Sequence, residues 1–401
     1  MSMHPSFDPT SPLALVPCGE YDKTLLTQSI AAMMEQLGVT PSFFAGKKVA
    51  IKPNLVMKKP AEYAATTHPA VLDALLAYLD GCDCADVVIA ESMGGPYTEG
   101  ALRGVYAVCG IEEVVKGHNN ARLNFDVTSR PVSAPNGEIC KSFDIITPIA
   151  DADIIINLCK LKSHSLTRMS GAIKNTFGCI PGLTKFEFHA RYPDYNDFNR
   201  MLVDLSAMLH EQKACIDICD AIVGMEGNGP TGGLPRKIGC LLASRNPFVL
   251  DTVSSALLSC EGEVPMITEA CRRGYAPEHA EDVRVSTDWH SLILTDFRAP
   301  DTARRSKNAL HWLPKVFGGK LFDWFAPRPV IRTSTCVGCG ECERSCPVHT
   351  IEMIRDKHGK KKAMIHADKC IRCFCCQELC PIHSVDIRKN AVLNLLAQLR
   401  R

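Results

Sequence analysis

DIIINLCKLKSH, residues 153–164, passes from an apolar run straight into Lys160, Lys162 and His164 at alternate positions. A short continuous apolar run suits a strand covered on both faces, and the abrupt change suits what lies beyond its carboxyl end. The same grammar recurs along the chain. KKVAI (47–51) leads into KPNLV, DVVIA (86–90) into ESMGGP, and ACIDI (214–218) into CDAIVGMEGNGPTGG, with IGCLLA (238–243) as a fifth strand. Between them lie segments of helical period. One runs from Asp22 to Leu37 with Asp22 as N-cap. Another begins at TTHPAVLDALLAYL, where Thr67 or His68 precedes Pro69. A third is DFNRMLVDLSAML (197–209), and a fourth follows Asn246-Pro247. Alternating strands and helices predict an α/β domain with a largely parallel sheet and flanking helices.

In such sheets the ligand crevice lies outside the carboxyl ends of the strands. The loops named above therefore predict a site. Lys160, Lys162, His164, Lys174 and Asn175 fall close together after one strand. On an extended loop K-x-K-x-H sets alternate side chains to one side. That makes a cationic pocket for a carboxylate or phosphate, or for charge developing during reduction. Lysines on a solvated face and a structural histidine are the plain alternatives. In the active reading His164, Lys162 and Lys174 are catalytic, with His164 as a proton donor near neutral pH. Lys52 and Asn54 flank Pro53, which is expected to end the ladder and hold both side chains in the loop for substrate. His68 beside Thr66 and Thr67 reads as a helix cap. Glu226, Gly227 and Gly229 belong to a glycine-rich loop that presents backbone N–H groups to an anion, or simply turns the chain. It is neither a Walker A nor a G-x-G-x-x-G sequence, so no nucleotide fingerprint supports NAD, and an unrecognised flavin stays open without support. Glu91 is an acid or a polar anchor, and Asp217 and Asp220 orient the lysines.

The other decisive stretches are TCVGCGECERSCPVHTIEM (335–353) and KCIRCFCCQELCPIHSVDI (369–387), each spaced C-x2-C-x2-C-x3-C-P. Three cysteines at i, i+3 and i+6 can turn their sulfurs toward one cubic cluster, and a fourth ligand must come from elsewhere. A zinc site is the alternative, but zinc motifs seldom repeat this spacing before C-P. The runs resemble the two-cluster bacterial ferredoxin module. That resemblance implies two [4Fe–4S] clusters with crossed ligation. Cys336, Cys339, Cys342 and Cys380 would hold one, and Cys370, Cys373, Cys376 and Cys346 the other. The tails VHTIEM and IHSVDI read as strands of a pseudo-symmetric α+β unit, and DKHGKKK (356–362) as a hairpin turn at Gly359 or a patch for an acidic redox partner. Cys375 has no place in the pattern and reads as a bystander or a spare thiol.

Composition sets the frame. The 401 residues are 46% hydrophobic with a formal net charge of +1, which suits several packed domains and gives no global basic field for nucleic acid. The charge is uneven: residues 331–401 carry 13 Lys and Arg against 7 Asp and Glu. Twelve of the 21 cysteines lie outside the two runs and read as small buried hydrophobes. The start lacks the pattern of a signal peptide, and no apolar run reaches the roughly 18 residues of a membrane span, so a cytoplasmic location without a transmembrane segment is expected.

KPNLV, TTHP, KLKSH with GAIKNTFG, and GMEGNGPTGG together resemble a family named for a domain of unknown function, DUF 362. The resemblance covers about residues 45–260, and members often carry an appended two-cluster ferredoxin module. It implies an iron–sulfur protein with an α/β domain and no agreed activity. The expected organisation is an α/β domain over 1–295, a connection over 296–330 with an aromatic helix, a ferredoxin-like domain over 331–389, and a terminal helix over 390–401. The aromatic segment either packs between domains or rests on a membrane surface. The expected function is an oxidoreductase moving electrons between two clusters and a small anionic substrate in the crevice. The rival is an electron-transfer subunit that docks to a partner enzyme, and a third reading is a regulator whose clusters report oxygen. A redox partner protein is expected in each electron-transfer reading.

Overall fold

The computed structural model describes residues 7–302 and 327–388. The aromatic segment 309–325 and the tail helix 390–401 fall outside the described residues. The first part is built on strands β1 (Ala14–Pro17), β2 (Lys48–Pro53), β3 (Asp86–Ile89), β4 (Ala121–Leu123), β5 (Ser129–Ser133), β6 (Ser142–Ile146), β7 (Ile154–His164), β8 (Arg168–Ser170), β9 (Ala214–Glu226) and β10 (Leu234–Ser244). One mixed sheet runs β1-β10-β9-β7-β2-β3-β4, with β8 folded back on β7, while β5 and β6 form a separate hairpin. The five strands from β9 to β4 are mutually parallel, and β10 is antiparallel to both its neighbours.

Helices cover both faces, which is why the central stretches of β2, β3, β7 and β9 run apolar at successive residues. Lys23–Gln36, Pro69–Leu79 and Glu99–Val108 close one face around Ile51, Ile89, Ile156 and Ile218. Tyr195–Gln212, Pro247–Leu257 and Pro265–Arg272 close the other around Ala50, Ile155 and Cys219. The caps follow the sequence. Asp22 accepts from the Leu25 amide, His68 from that of Ala70, and Asn246 from those of Phe248 and Val249. Ten of the twelve scattered cysteines are buried, as small apolar side chains would be.

Three expectations change. β2 does not stop before Lys52, for Lys52 and Pro53 stay in register with Asn157 and Leu158 of β7. β7 does not yield to a loop at Lys160 but continues to His164, buried throughout. IGCLLA lies in β10, which returns antiparallel to β9, so the glycine-rich loop is the tip of a β-hairpin and not a crossover.

The second part is smaller. β11 (Arg328–Ile331) pairs with the later strand Val385–Arg388, and β12 (Ile351–Arg355) pairs with β13 (Lys361–Ile365). The two hairpin-like pairs flank one-turn helices at Glu341–Arg344 and Cys375–Glu378, and Gly359 takes the positive φ of the β12–β13 turn.

Candidate active site between the two domains

The parallel strands β3, β2 and β7 end side by side, and their carboxyl edges carry the polar residues. Glu91 and Ser92 follow β3, Lys52 and Asn54 close β2, and Lys162 and His164 close β7. These groups line one cleft, open to solvent on one side. Lys174, Asn175 and Phe177 form a second wall, Lys185 and His189 a third. Cys375, Glu378 and Leu379 of the cysteine-rich domain complete it.

Which donors are free follows from hydrogen-bond accounting, since an ammonium has three. Lys52 Nζ donates to Glu91 Oε2 and to the Pro53 carbonyl at 2.8 Å each, and to Asn175 Oδ1 at 3.4 Å. Glu91 also accepts from the Leu55 and Ser92 amides, which makes it a polar anchor for the loop after β3. Asn175 Nδ2 bonds Asn157 Oδ1, Asn157 Nδ2 bonds Asp217, and Asp217 meets His210 Nε2 at 2.8 Å. Lys52 and Asn175 are therefore held from behind, by a buried polar chain through Asp217. Gly178 explains itself here: a Cβ would stand 2.4 Å from Glu91 Oε1 and 2.5 Å from Lys52 Nζ.

Lys162 Nζ donates to Asn54 Oδ1 at 3.1 Å and to the Ala65 carbonyl, which leaves one donor. Burial pushes its pKa down to about 7, against the pull of the Glu378 carboxylate. Lys174 has a different setting. Among the described residues it has no hydrogen-bond or ion-pair partner and only lies over the Phe177 ring at 4.6 Å. Burial lowers its pKa as well. His164 Nδ1 accepts from the Leu166 and Thr167 amides at 3.1 and 3.4 Å. Its proton is thus on Nε2, 3.9 Å from Glu378 Oε2. Burial, and then the charges of Lys174 and Lys162, hold its pKa well below the usual range. His164 is a neutral hydrogen-bond donor. The expectation of proton donation near neutral pH is corrected.

The remaining expected residues lie elsewhere. Lys160 is paired with Asp220 at 2.7 Å and with the Tyr21 hydroxyl at 3.0 Å, away from the cleft. A register shift between Lys160 and Lys162 separates the two lysines. His68 stacks on Tyr21 with ring centroids 3.6 Å apart and caps its helix. Glu226 accepts from the Arg298 amide, and Gly227 N–H donates to the Arg298 carbonyl at 2.7 Å. The Gly229 carbonyl accepts from the Ser165 amide and hydroxyl. Of this hairpin tip only Pro230 reaches the cleft. The tip is a docking element: the Asn228 carbonyl accepts from Gln377 Nε2, and Thr231 Oγ1 donates to the Glu378 carbonyl at 2.8 Å. Lys59 adds contacts to the Thr231 carbonyl and His383 Nε2.

Sequence reasoning missed Lys185 and His189. Both sit on the helix Thr184–Arg191, four residues apart on one face. That spacing in TKFEFHAR was the available signal. Lys185 Nζ donates to the carbonyls of Ser92 and Met93 and to the Ser92 hydroxyl, pinning the loop after β3, and burial pushes its pKa down to about 7. His189 stacks on Phe198, and burial pushes its pKa down to about 3.

Among the cysteines, Cys336, Cys339, Cys342 and Cys380 line one void at the far side of the small domain. Cys373, Cys370, Cys342 and Cys346 are the electrostatic neighbours of Cys376, and Cys373 and Cys346 those of Cys370. Amides already point at sulfur, from Thr350 to Cys346 and from Ser384 to Cys380 at 3.3 and 3.1 Å. Among the described residues no three His, Cys, Asp or Glu side chains gather as around a single ion. Protein made anaerobically is expected to hold about eight iron and about eight sulfide per chain. One equivalent of zinc and a colourless protein would refute this.

Comparison with known proteins gives concordant results. Residues 49–256 match the family model described as a domain of unknown function, DUF362, and residues 335–384 match a 4Fe-4S dicluster domain. A thylakoid-associated protein of Synechocystis sp. is 28% identical over 297 residues, spanning 72% of this chain and 88% of its own. Two solved structures are similar at low level. A Thermotoga maritima protein has TM-score 0.38 and 12% identity over 58% of each chain. A lactate racemase apoprotein from Thermoanaerobacterium thermosaccharolyticum has TM-score 0.39 and 13% identity, over 66% of this chain and 60% of its own. The chain thus spans less than two thirds of either structure. Among the described residues no helix is long and apolar enough to cross a membrane.

Proposed function

This chain belongs to the DUF362 family and joins that α/β domain to a ferredoxin-type 4Fe-4S dicluster domain, and from that premise we propose that it is an oxidoreductase acting on a small anionic substrate in the cleft between them. The observation that carries the reading is Lys174, an unpaired ammonium in a cleft whose opposite wall, Cys375 to Leu379, lies among the cysteines of the second run.

Cys370, Cys373, Cys376 and Cys346 would hold the cluster on the cleft side, and Cys336, Cys339, Cys342 and Cys380 the other. Bound there, the clusters supply single electrons. The chain's own groups do the rest. Lys174 binds and orients the anionic end of the substrate with its three free donors. Lys162 adds one donor, and His164 Nε2–H another, to an oxygen on which charge grows as the substrate is reduced. Lys162 is also the group able to give a proton near pH 7, because burial has brought its pKa to about 7. Lys52, Asn175 and Glu91 keep the floor rigid, and Lys185 holds the loop above it. The docked domain closes one side of the cleft. A half-buried ammonium with no hydrogen-bond partner among the described residues favours this reading over a pure carrier, because an anion would meet it there.

The test is anaerobic. Protein with reduced clusters is mixed with a panel of carboxylates and phosphorylated metabolites while reoxidation is followed optically. Failure of every compound to accelerate reoxidation would favour the carrier.

A pH dependence follows, with its sign fixed by Lys162. Anions bind the protonated lysine, so affinity is full below about pH 7 and falls as pH rises through that value. Between pH 8 and pH 9 the dissociation constant of a bound anion is expected to rise about tenfold. Calorimetric titration across that range checks it. The depressed lysine also makes the unfolded chain bind more protons between about pH 7 and 10.5, so stability of the free protein should increase with pH in that window.

A further inference from the structure

The two cysteine sets face different surroundings. The second-run set abuts the cleft, whereas the set of Cys336, Cys339, Cys342 and Cys380 opens toward solvent. Cys339 is exposed, and at the mouth of its void Val337 is 65% and Ile382 42% exposed. Large apolar side chains so bare beside a thiolate void are not explained by packing.

A basic hairpin rims this mouth. The β12–β13 turn is fastened to the cysteine loop: Lys362 Nζ donates to the Cys336 carbonyl at 2.6 Å, and a Cβ on Gly338 would stand 2.4 Å from the Lys361 carbonyl. Lys357, Lys360 and Lys361 are exposed, and Asp356, the acid among them, is turned back onto the amides of His358 and Lys360. On the other rim Glu341 is neutralised by Arg344 at 2.6 Å, which leaves Glu343 as the acidic group nearby.

We infer that the face around Val337 and Ile382, rimmed by Lys357, Lys360 and Lys361, is the docking surface for an acidic one-electron carrier protein. An apolar centre with a basic hairpin along one rim gives contact and steering together. In the step itself one electron passes from the reduced carrier to the protein's iron–sulfur centre. The carrier is oxidised by one electron, the centre is reduced by one, and no proton or bond moves. The inference rests on the dicluster domain and not on the substrate reading, since it requires no substrate.

An acidic [2Fe–2S] ferredoxin is the probe. A carbodiimide that joins amines directly to carboxylates should link it to Lys360 and Lys361, mapped by mass spectrometry. In stopped-flow mixing, the combined change Lys360→Glu and Lys361→Glu should slow cluster reduction by that ferredoxin at least about tenfold at low salt, with a weaker salt dependence. Val337→Asp should slow it to a similar degree. Reduction by reduced methyl viologen, a small cation, should not slow. Three results would overturn the inference: an unchanged rate with ferredoxin, an equal slowing with viologen, or cross-links that join these lysines only to carboxylates of the same chain.

Discussion

Cys346→Ser is expected to remove the cluster beside the cleft while leaving the solvent-facing one. Iron should fall from about eight to about four per chain, although Cys346 belongs to the first run in sequence. The reason is position: Cys346 neighbours Cys370 and Cys376, whereas Cys339, Cys336 and Cys380 neighbour Cys342, which itself also approaches Cys376. Substrate-driven turnover should drop by more than about 10³, because the electron source next to the substrate is lost and the cleft wall Cys375–Leu379 loses its support. Cys339→Ser should remove the other cluster and still permit one-electron exchange at the cleft. Iron counts with electron paramagnetic resonance of the reduced variants decide between these outcomes. If Cys346→Ser spared the second-run cluster, the crossed arrangement would be wrong.

The second large effect is expected at Lys174. Lys174→Gln should lower the rate of substrate-driven cluster reoxidation about 10²- to 10³-fold, the usual consequence of losing one preorganised charge. Melting temperature and iron content should stay at parent values, since Lys174 has no polar partner in the described protein to leave behind. Lys52→Ala supplies the contrast. It strands the buried Glu91 carboxylate and should destabilise the fold by about 3–5 kcal/mol. Chemical denaturation separates the two. Were Lys174→Gln to destabilise the protein while activity per folded molecule held, Lys174 would be structural. If parent and variant alike pass electrons to every acceptor and turn over no small molecule, the carrier reading replaces the enzyme.

Much of this was legible because its determinants are local. The cysteine spacing encodes its own loop, and the apolar runs encode strands covered on both faces. His164, Lys162 and Lys174 were legible as a group because they follow one another closely in sequence at and beyond the carboxyl end of β7. What could not be read depends on partners far away in the chain. Lys160 and Lys162 look equivalent in K-x-K-x-H, yet Asp220 sits 60 residues on and claims the first alone. The glycine-rich tip looked like an anion nest because nothing nearby in sequence reveals that Gln377 and Glu378 would fold against it. The donor role of His164, and not an acid role, is set by two amides just beyond it, in a turn that only exists because β8 folds back on β7.

The last wall of the cleft has a consequence for how the protein comes to maturity. Cys375, Glu378 and Leu379 are threaded between Cys373, Cys376 and Cys380, so the shape of that wall is inherited from the metal its neighbours hold. A newly made chain without iron and sulfide would lack the cofactor that braces this fourth side. On the proposed reading, assembly of the cofactor would be a licensing step, and damage to it by an oxidant would disarm the site and cut its electron supply in one event.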